Sequence, residues 1–189
     1  LVLTSVPAKA EETLQLASQA AVLMDADTGV VLYEKNMNEQ LYPASITKLM
    51  TALLAMEALE PEQVLTVSQS AVNAVPRTSS HISLLPGERC TVEDALYAIG
   101  MESANDAANV LAEAVAGTLE AFAALMTQRA QELGAMNTYF TNANGLPDSG
   151  HVTTAYDMAL LTAAAPNPQA PPTDSPTSPP PLPAPHLHP

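Results

Sequence analysis

Tyr42-Pro43-Ala44-Ser45-Ile46-Thr47-Lys48-Leu49-Met50-Thr51 is the stretch from which this 189-residue chain is best read. Pro43 fits the entry to a helix, because the first-turn N–H groups have no partner to lose. Ile46, Leu49, Met50, Leu53 and Leu54 recur at helical spacing and predict one buried face. Pro61 stops the helix. Ser45 and Lys48 then stand at i and i+3, which puts both side chains on one face within reach of each other. A serine hydroxyl is a poor nucleophile at neutral pH and needs an adjacent base. A lysine can be that base if burial depresses its pKa, and a helix N-terminus favours the negative charge that develops. The letters alone are weak, since S-x-x-K arises by chance about once in a chain of this length. A capping serine followed by a solvated lysine reads the same. The setting is more informative: Leu41, Ile46, Leu49 and Met50 surround the pair, and between Glu11 and Ala165 the only other lysine is Lys35.

Upstream, Ala20–Met24 and Val30–Lys35 lean to β-structure around the turn Asp25-Ala26-Asp27-Thr28-Gly29, which predicts a hairpin. Downstream, Ser68 caps a short helix to Val75, and His81–Leu85 forms a short strand turned by Pro86-Gly87. Thr91–Asp94 resembles a capping box, with Val92, Ala95, Leu96 and Ile99 on the core face and Gly100 as a C-terminal cap. Helices follow over Asp106–Ala116, ended by Gly117, and over Leu119–Leu133, capped by Thr118 and ended by Gly134. Asn137–Thr141 reads as extended, Asn142–Gly150 as turns, and Ala155–Ala165 as a last helix. A hairpin, a buried helix and then a helical block make an α+β arrangement. Ser103 and Asn105 fall in a loop between two helices. There a serine can relay a proton and an asparagine can hydrogen-bond a substrate amide, although both are also ordinary loop and cap residues.

Six Lys+Arg against twenty Asp+Glu give a net charge of −14, which argues against nucleic acid as a partner. The absence of Trp and an aromatic content of 4% remove the stacking platforms that bases would need. Cys90 is the single cysteine, so no internal disulfide or CxxC site forms. It reads as a lone, partly buried thiol. No GxGxxG, P-loop or HExxH is present, and no apolar run reaches the ~18 residues of a membrane span. Seventeen prolines divide the chain, because eleven lie in Pro166–Pro189. Leu1–Ala10 ends in Ala8-Lys9-Ala10 and reads as the remnant of a signal peptide, hence an exported protein. Glu11–Ala165 is the globular zone and carries nineteen acidic and five basic residues. Pro166–Pro189 is expected to be disordered, with polyproline II character. Its Pro179–Pro183 could present a PxxP-like ligand, and His186 and His188 form a weak metal pair.

The quoted motif resembles the active-serine signature of the D-alanyl-D-alanine carboxypeptidases, the low-molecular-mass penicillin-binding proteins. Ser103-Ala104-Asn105 with Asp106-Ala107-Ala108 resembles their second motif. Asn144–Asp148 and Thr154–Ala159 resemble a further stretch, and the likeness covers roughly 19–162. The resemblance implies a β-lactamase/transpeptidase-like α+β fold and a serine peptidase acting on peptidoglycan stem peptides ending in D-Ala-D-Ala. Ser45 would be the acyl-ester nucleophile, Lys48 the base, Ser103 the proton relay and Asn105 a substrate-binding residue. β-Lactams would acylate the same serine, and no cofactor or metal is implied. The third family motif, Lys-Thr-Gly or Lys-Ser-Gly, does not occur in the 189 residues. The expectation is therefore an incomplete domain: an N-terminal hairpin and a helical subdomain, without most of the central antiparallel sheet and without the membrane anchor. On this reading the tail from Pro166 is expected to come from a shifted reading frame, with a genuine proline-rich linker as the competing reading, and the chain by itself is expected to have little activity. A serine β-lactamase is disfavoured by Ser103-Ala104-Asn105 in place of Ser-Asp-Asn and by the lack of an evident deacylating glutamate. A non-catalytic peptidoglycan- or penicillin-binding fragment is the remaining alternative.

Overall fold

The structure, a computed structural model, describes residues 14–165. The leader-like Leu1–Ala10 and the proline-rich Pro166–Pro189 lie outside the described residues. Strand β1 (Ala21–Met24) pairs antiparallel with β2 (Val31–Lys35), with an irregularity between Leu23 and Met24. Asp25 sets the turn: its carboxylate accepts from the Thr28 amide at 2.8 Å and the Thr28 hydroxyl at 2.6 Å. Those bonds to the charged form hold the Asp25 pKa below the usual carboxylate value. A 3-10 turn, Ala44–Thr47, leads into α1 (Lys48–Ala58). Then come β3 (Val64–Thr66), α2 (Gln69–Asn73), β4 (Arg89–Thr91), α3 (Val92–Met101), α4 (Asn105–Ala116), α5 (Leu119–Glu132) and α6 (Ala155–Ala164).

The caps expected from sequence are present. Ser68 and Thr118 each accept from a first-turn amide, and Thr91 with Asp94 closes a full capping box; Thr154, not foreseen as a cap, accepts from a first-turn amide of α6. Each cap satisfies an N–H that the helix itself leaves unpaired. Gly117 ends α4 with φ +81. Two local expectations fail and one feature was not foreseen. His81–Leu85 is not a strand, because it docks against the start of α4, where the Asp106 carboxylate accepts its amides. Gly100 lies inside α3, whose C-cap is Glu102. A second small sheet, unforeseen, joins β3 to β4 (Val64↔Thr91, Leu65↔Cys90, Thr66↔Arg89). Val64–Thr66 is too short to alternate visibly, and only its partner reveals it.

Helix α4 is the centre of the molecule. Its first eight residues, Asn105 to Ala112, are all buried, and it packs against α1, α2, α3, α5 and β3. Small residues at Ala104, Ala107, Ala108 and Ala112 let these elements approach closely around Met50, Leu111, Phe122 and Met126. Helix α6 packs against β1 and ties the hairpin to the helical block.

The expected buried face of α1 needs one correction. Met50, Leu53 and Leu54 are in the core, but Ile46 and Leu49 are about half exposed. Thr47, Lys48 and Thr51 are buried in their place. The turn-rich stretch 138–151 covers that side of the helix and supplies partners for all three polar side chains. Satisfied polar groups can be buried at little cost, so tertiary partners override the hydrophobic pattern.

Candidate active site

Ser45 sits exposed in the 3-10 turn that precedes α1. Lys48, the first residue of α1, directs Nζ to Ser45 Oγ at 3.3 Å and donates to the Asn144 carbonyl at 2.7 Å. Ser103 lies between α3 and α4 and donates to Ser45 Oγ at 3.0 Å. Three of the four residues singled out from sequence thus converge on one hydroxyl. Ser45 and Ser103 are 58 positions apart, and the buried start of α4 brings the second motif to the first. Lys48 is only 5% exposed, and burial lowers its pKa from the ordinary 10.5 to about 8. Desolvation is the cause, because it penalises the charged ammonium.

Asn105 departs from its expected loop position. It is the first residue of α4 rather than a loop residue, it is buried, and its amide donates to the Ser80 carbonyl at 3.0 Å. Among the described residues no hydrogen bond joins its side chain to Ser45 or Lys48. Asp106 beside it accepts from the Ile82 and Leu84 amides at 3.2 and 3.0 Å. The second motif therefore also anchors the segment 80–84.

The segment 142–151, whose Asn142–Gly150 part the sequence predicts as turns, belongs to the site. Asn142 Oδ1 accepts from the amides of Asn144, Gly145 and Leu146, a local turn that needs no regular structure. Asn144 Nδ2 donates to Asn109 Oδ1 at 3.0 Å, and Asn109 on α4 donates to the Ala71 carbonyl at 2.9 Å. Thr51 donates to the Ala143 carbonyl at 2.5 Å. Gly145 has φ +85 and lies directly on the Ala44–Ser45 peptide. Ala44 and Ser103, the residues that aim the nucleophile and its neighbour, hold φ of +49 and +53. Such left-handed conformations cost on the order of 1–3 kcal/mol in non-glycine residues and gather at sites where geometry matters. No spacing rule links Lys48 to a carbonyl 96 positions away. The one signal was the resemblance of Asn144–Asp148 to a family stretch.

A cavity of about 610 Å³ lined by Val72, Val75, Arg77, His81, Leu84 and Asp106 lies apart from this chemistry, since Ser45, Lys48 and Ser103 do not line it. Among the described residues no three His, Cys, Asp or Glu side chains converge as a metal site would require. Cys90 is half-buried on β4, and burial with the nearby Asp94 and Glu88 carboxylates pushes its thiol pKa up, so it is a weak nucleophile. No single described helix is long and apolar enough to cross a membrane.

This arrangement has relatives. Residues 7–172 match the family model described as D-alanyl-D-alanine carboxypeptidase. The chain is 44% identical to D-alanyl-D-alanine carboxypeptidase DacF of Bacillus subtilis over 155 residues, 80% of this chain and 40% of that protein. It is 40% identical to DacC of Escherichia coli over 163 residues, 80% of this chain and 41% of that protein. Its fold superposes on the D-alanyl-D-alanine carboxypeptidase DacD of Francisella tularensis with a TM-score of 0.77 at 34% identity, covering 86% of this chain and 40% of that one. A Streptomyces K15 DD-transpeptidase variant superposes at 0.74 with 26% identity, over 79% of this chain and 61% of that one. The expected transpeptidase-like fold is thereby shown, in its helix-rich part with only short sheets. The chain spans about 40% of the length of the curated relatives it matches. A serine flanked by a desolvated lysine and a second serine, on this fold and within a match over residues 7–172, places the chain in the D-alanyl-D-alanine carboxypeptidase family.

Proposed function

We propose that this chain carries the acylating centre of a serine-type D-Ala-D-Ala carboxypeptidase of peptidoglycan metabolism. The observation that carries the reading is Ser45 Oγ held between Lys48 Nζ at 3.3 Å and Ser103 Oγ at 3.0 Å. With a pKa of about 8, Lys48 is neutral in roughly a tenth of molecules at pH 7, enough to act as a base. Neutral Lys48 takes the Ser45 proton as Oγ attacks the carbonyl carbon between the two terminal D-alanines. The C–N bond then breaks. Ser103 passes a proton to the leaving amine and recovers one from the Lys48 ammonium. Free D-alanine departs, and water hydrolyses the Ser45 ester to release the shortened peptide. Ser45 lies early in its 3-10 turn, where backbone N–H groups have no partner within the turn. Its own amide is thus suited to the oxyanion, where one such donor is worth about 3–4 kcal/mol. Asn105, two residues from Ser103, would bind substrate. β-Lactams would acylate Ser45 by the same attack, with ring opening in place of amine release. The peptidoglycan substrate implies an exported protein working in the cell envelope.

The 189 residues hold no Lys-Thr-Gly or Lys-Ser-Gly to clamp the substrate carboxylate, so little D-alanine release is expected from this chain alone. The test separates binding from chemistry. A fluorescent penicillin should label the wild-type chain covalently, and Ser45→Ala should abolish the label. Label that persists in Ser45→Ala removes Ser45 as nucleophile, and turnover of penicillin without trapping would favour a β-lactamase.

A further inference from the structure

Three side chains of the 3-10 turn and α1 reach across to the segment 141–151. Two of the ties, Lys48 to the Asn144 carbonyl and Thr51 to the Ala143 carbonyl, join a side chain to backbone. The third is an imidazole. His151 is 1% exposed, its Nδ1 accepts from the Thr141 amide at 3.0 Å, and its Nε2 lies 2.7 Å from Thr47 Oγ1. The Thr141 amide can only donate, so Nδ1 carries the lone pair and the proton resides on Nε2, which donates to Thr47. The Phe140 ring packs edge-on against the imidazole, with centroids 5.6 Å apart. The loop that presents the Asn144 carbonyl is therefore closed at one end by this ring, onto the residue immediately before Lys48.

We propose that His151 is a positioning residue for the acylation step: as a neutral imidazole it locks the segment 141–151 onto Thr47 and so holds the Asn144 carbonyl against Lys48 and water away from its amine. This rests on the acylation reading given above. The arrangement favours the neutral ring, because a proton on Nδ1 would face the Thr141 N–H at 3.0 Å; the Thr141 hydroxyl lies farther from Nδ1, at 3.3 Å, and can donate to the same lone pair. The charged groups around it do not alter this. Asp148, in the same loop, favours the imidazolium, but burial outweighs it and keeps the pKa below the ordinary 6.5. Lys48, from α1, turns its ammonium to Ser45 and Asn144. Asp157, from α6, is bound to the Asn137 amide and the Thr138 hydroxyl.

The test uses the 189-residue chain with His151→Ala, His151→Gln and Thr47→Val. Gln supplies one acceptor and one donor but does not titrate. Two quantities are read: the rate at which fluorescent penicillin labels Ser45 between pH 5 and 9, and the Lys48 midpoint from amine-selective labelling against pH. A folded His151→Ala should label about 10–100-fold more slowly, the loss expected when reacting groups are misplaced by up to an ångström. Its Lys48 midpoint should rise by about one pH unit as water reaches the amine. His151→Gln should recover most of the rate. In the wild type the rate should fall more steeply below the His151 midpoint than Lys48 alone dictates, and His151→Gln should lose that extra slope. Wild-type rate and midpoint in a folded His151→Ala overturn the proposal, as does a folded His151→Gln that recovers nothing. If His151→Ala does not fold, Thr47→Val and His151→Gln decide by the same two readings. If the wild-type Ser45 takes no label at all, the acylation reading fails, while the Lys48 midpoint still tests the tie.

Discussion

Gly145→Ala probes the contact on which the nucleophile's geometry rests. A Cβ on Gly145 would stand 1.8 Å from the Ala44 carbonyl oxygen, 2.3 Å from its carbon and 3.0 Å from the Ser45 nitrogen. Nothing at that contact is a flexible side chain, so the Ala44–Ser45 peptide or the 142–146 turn must move by more than an ångström. The left-handed φ of +85 adds about 1–2 kcal/mol for alanine, and forced repacking adds about 1–3 kcal/mol, giving a loss of about 2–5 kcal/mol. Gly87→Ala is the control. Gly87 has φ +87, but no atom lies within 4 Å of its added Cβ, so it reports the conformational cost alone. Urea unfolding of both variants isolates the collision. Fluorescent-penicillin labelling should fall by about a hundredfold in Gly145→Ala, the cost of an ångström's misplacement, and stay near wild type in Gly87→Ala. Equal stabilities of the two variants, with Ser45 in Gly145→Ala labelled at the wild-type rate, would refute the reasoning.

Three further outcomes follow from buried polar groups. Labelling of Ser45 should fall about tenfold per pH unit below about 8 and level off above it, as the neutral fraction of Lys48 dictates, and a profile flat from pH 6 to 9 removes Lys48 as base. The same lysine lowers stability. Between pH 8 and 10.5 the unfolded chain binds the proton that the native chain has lost, so stability rises with pH across that window. Lys48→Met should therefore be more stable at pH 7 by at most about 3 kcal/mol, less the lost bond to Asn144, and the gain should vanish above pH 10.5. An unfolding series against pH that shows the wild type equal to Lys48→Met throughout contradicts it. Asp106→Ala orphans the Ile82 and Leu84 amides and should cost about 3 kcal/mol while opening the segment 80–84 to proteolysis; unchanged melting and cleavage would show that Asp106 does not anchor that segment.

Much of this fold was legible because its signals are local. Ser68, Thr91 and Thr118 cap helices through bonds three residues long, and Asp25 closes its turn with Thr28 in the same way. Gly117 and Gly134 mark helix ends because φ near +80 to +90 suits glycine. The misreadings have the opposite character. His81–Leu85 looked like a strand, but its amides are claimed by Asp106, more than twenty positions away. β3 exists only through β4. Ile46 and Leu49 belong to the apolar periodicity of α1, yet they face outward because hydrogen-bond partners from 141–151 bury the opposite, polar side.

The candidate site divides along the same line. Helical geometry alone puts Ser45 beside Lys48, so a nucleophile with a nearby amine could be read from two letters three positions apart. Whether that amine can be neutral depends on its burial, and the covering segment begins some ninety residues later. Ser103 reaches Ser45 only because α4 is buried along its first two turns and fixes where the preceding loop emerges. Asn105 follows Ser103 by two positions, yet among the described residues its side chain makes no hydrogen bond to Ser45 or Lys48, so closeness in sequence does not by itself connect a residue to the nucleophile. The sequence by itself determined the turn, the helix and the order of the two motifs, because these rest on backbone preferences within a few residues. Only the tertiary structure decided the protonation of Lys48, the seat of Gly145 on the Ala44–Ser45 peptide and the brace at His151, because desolvation and close contact depend on which distant segments meet.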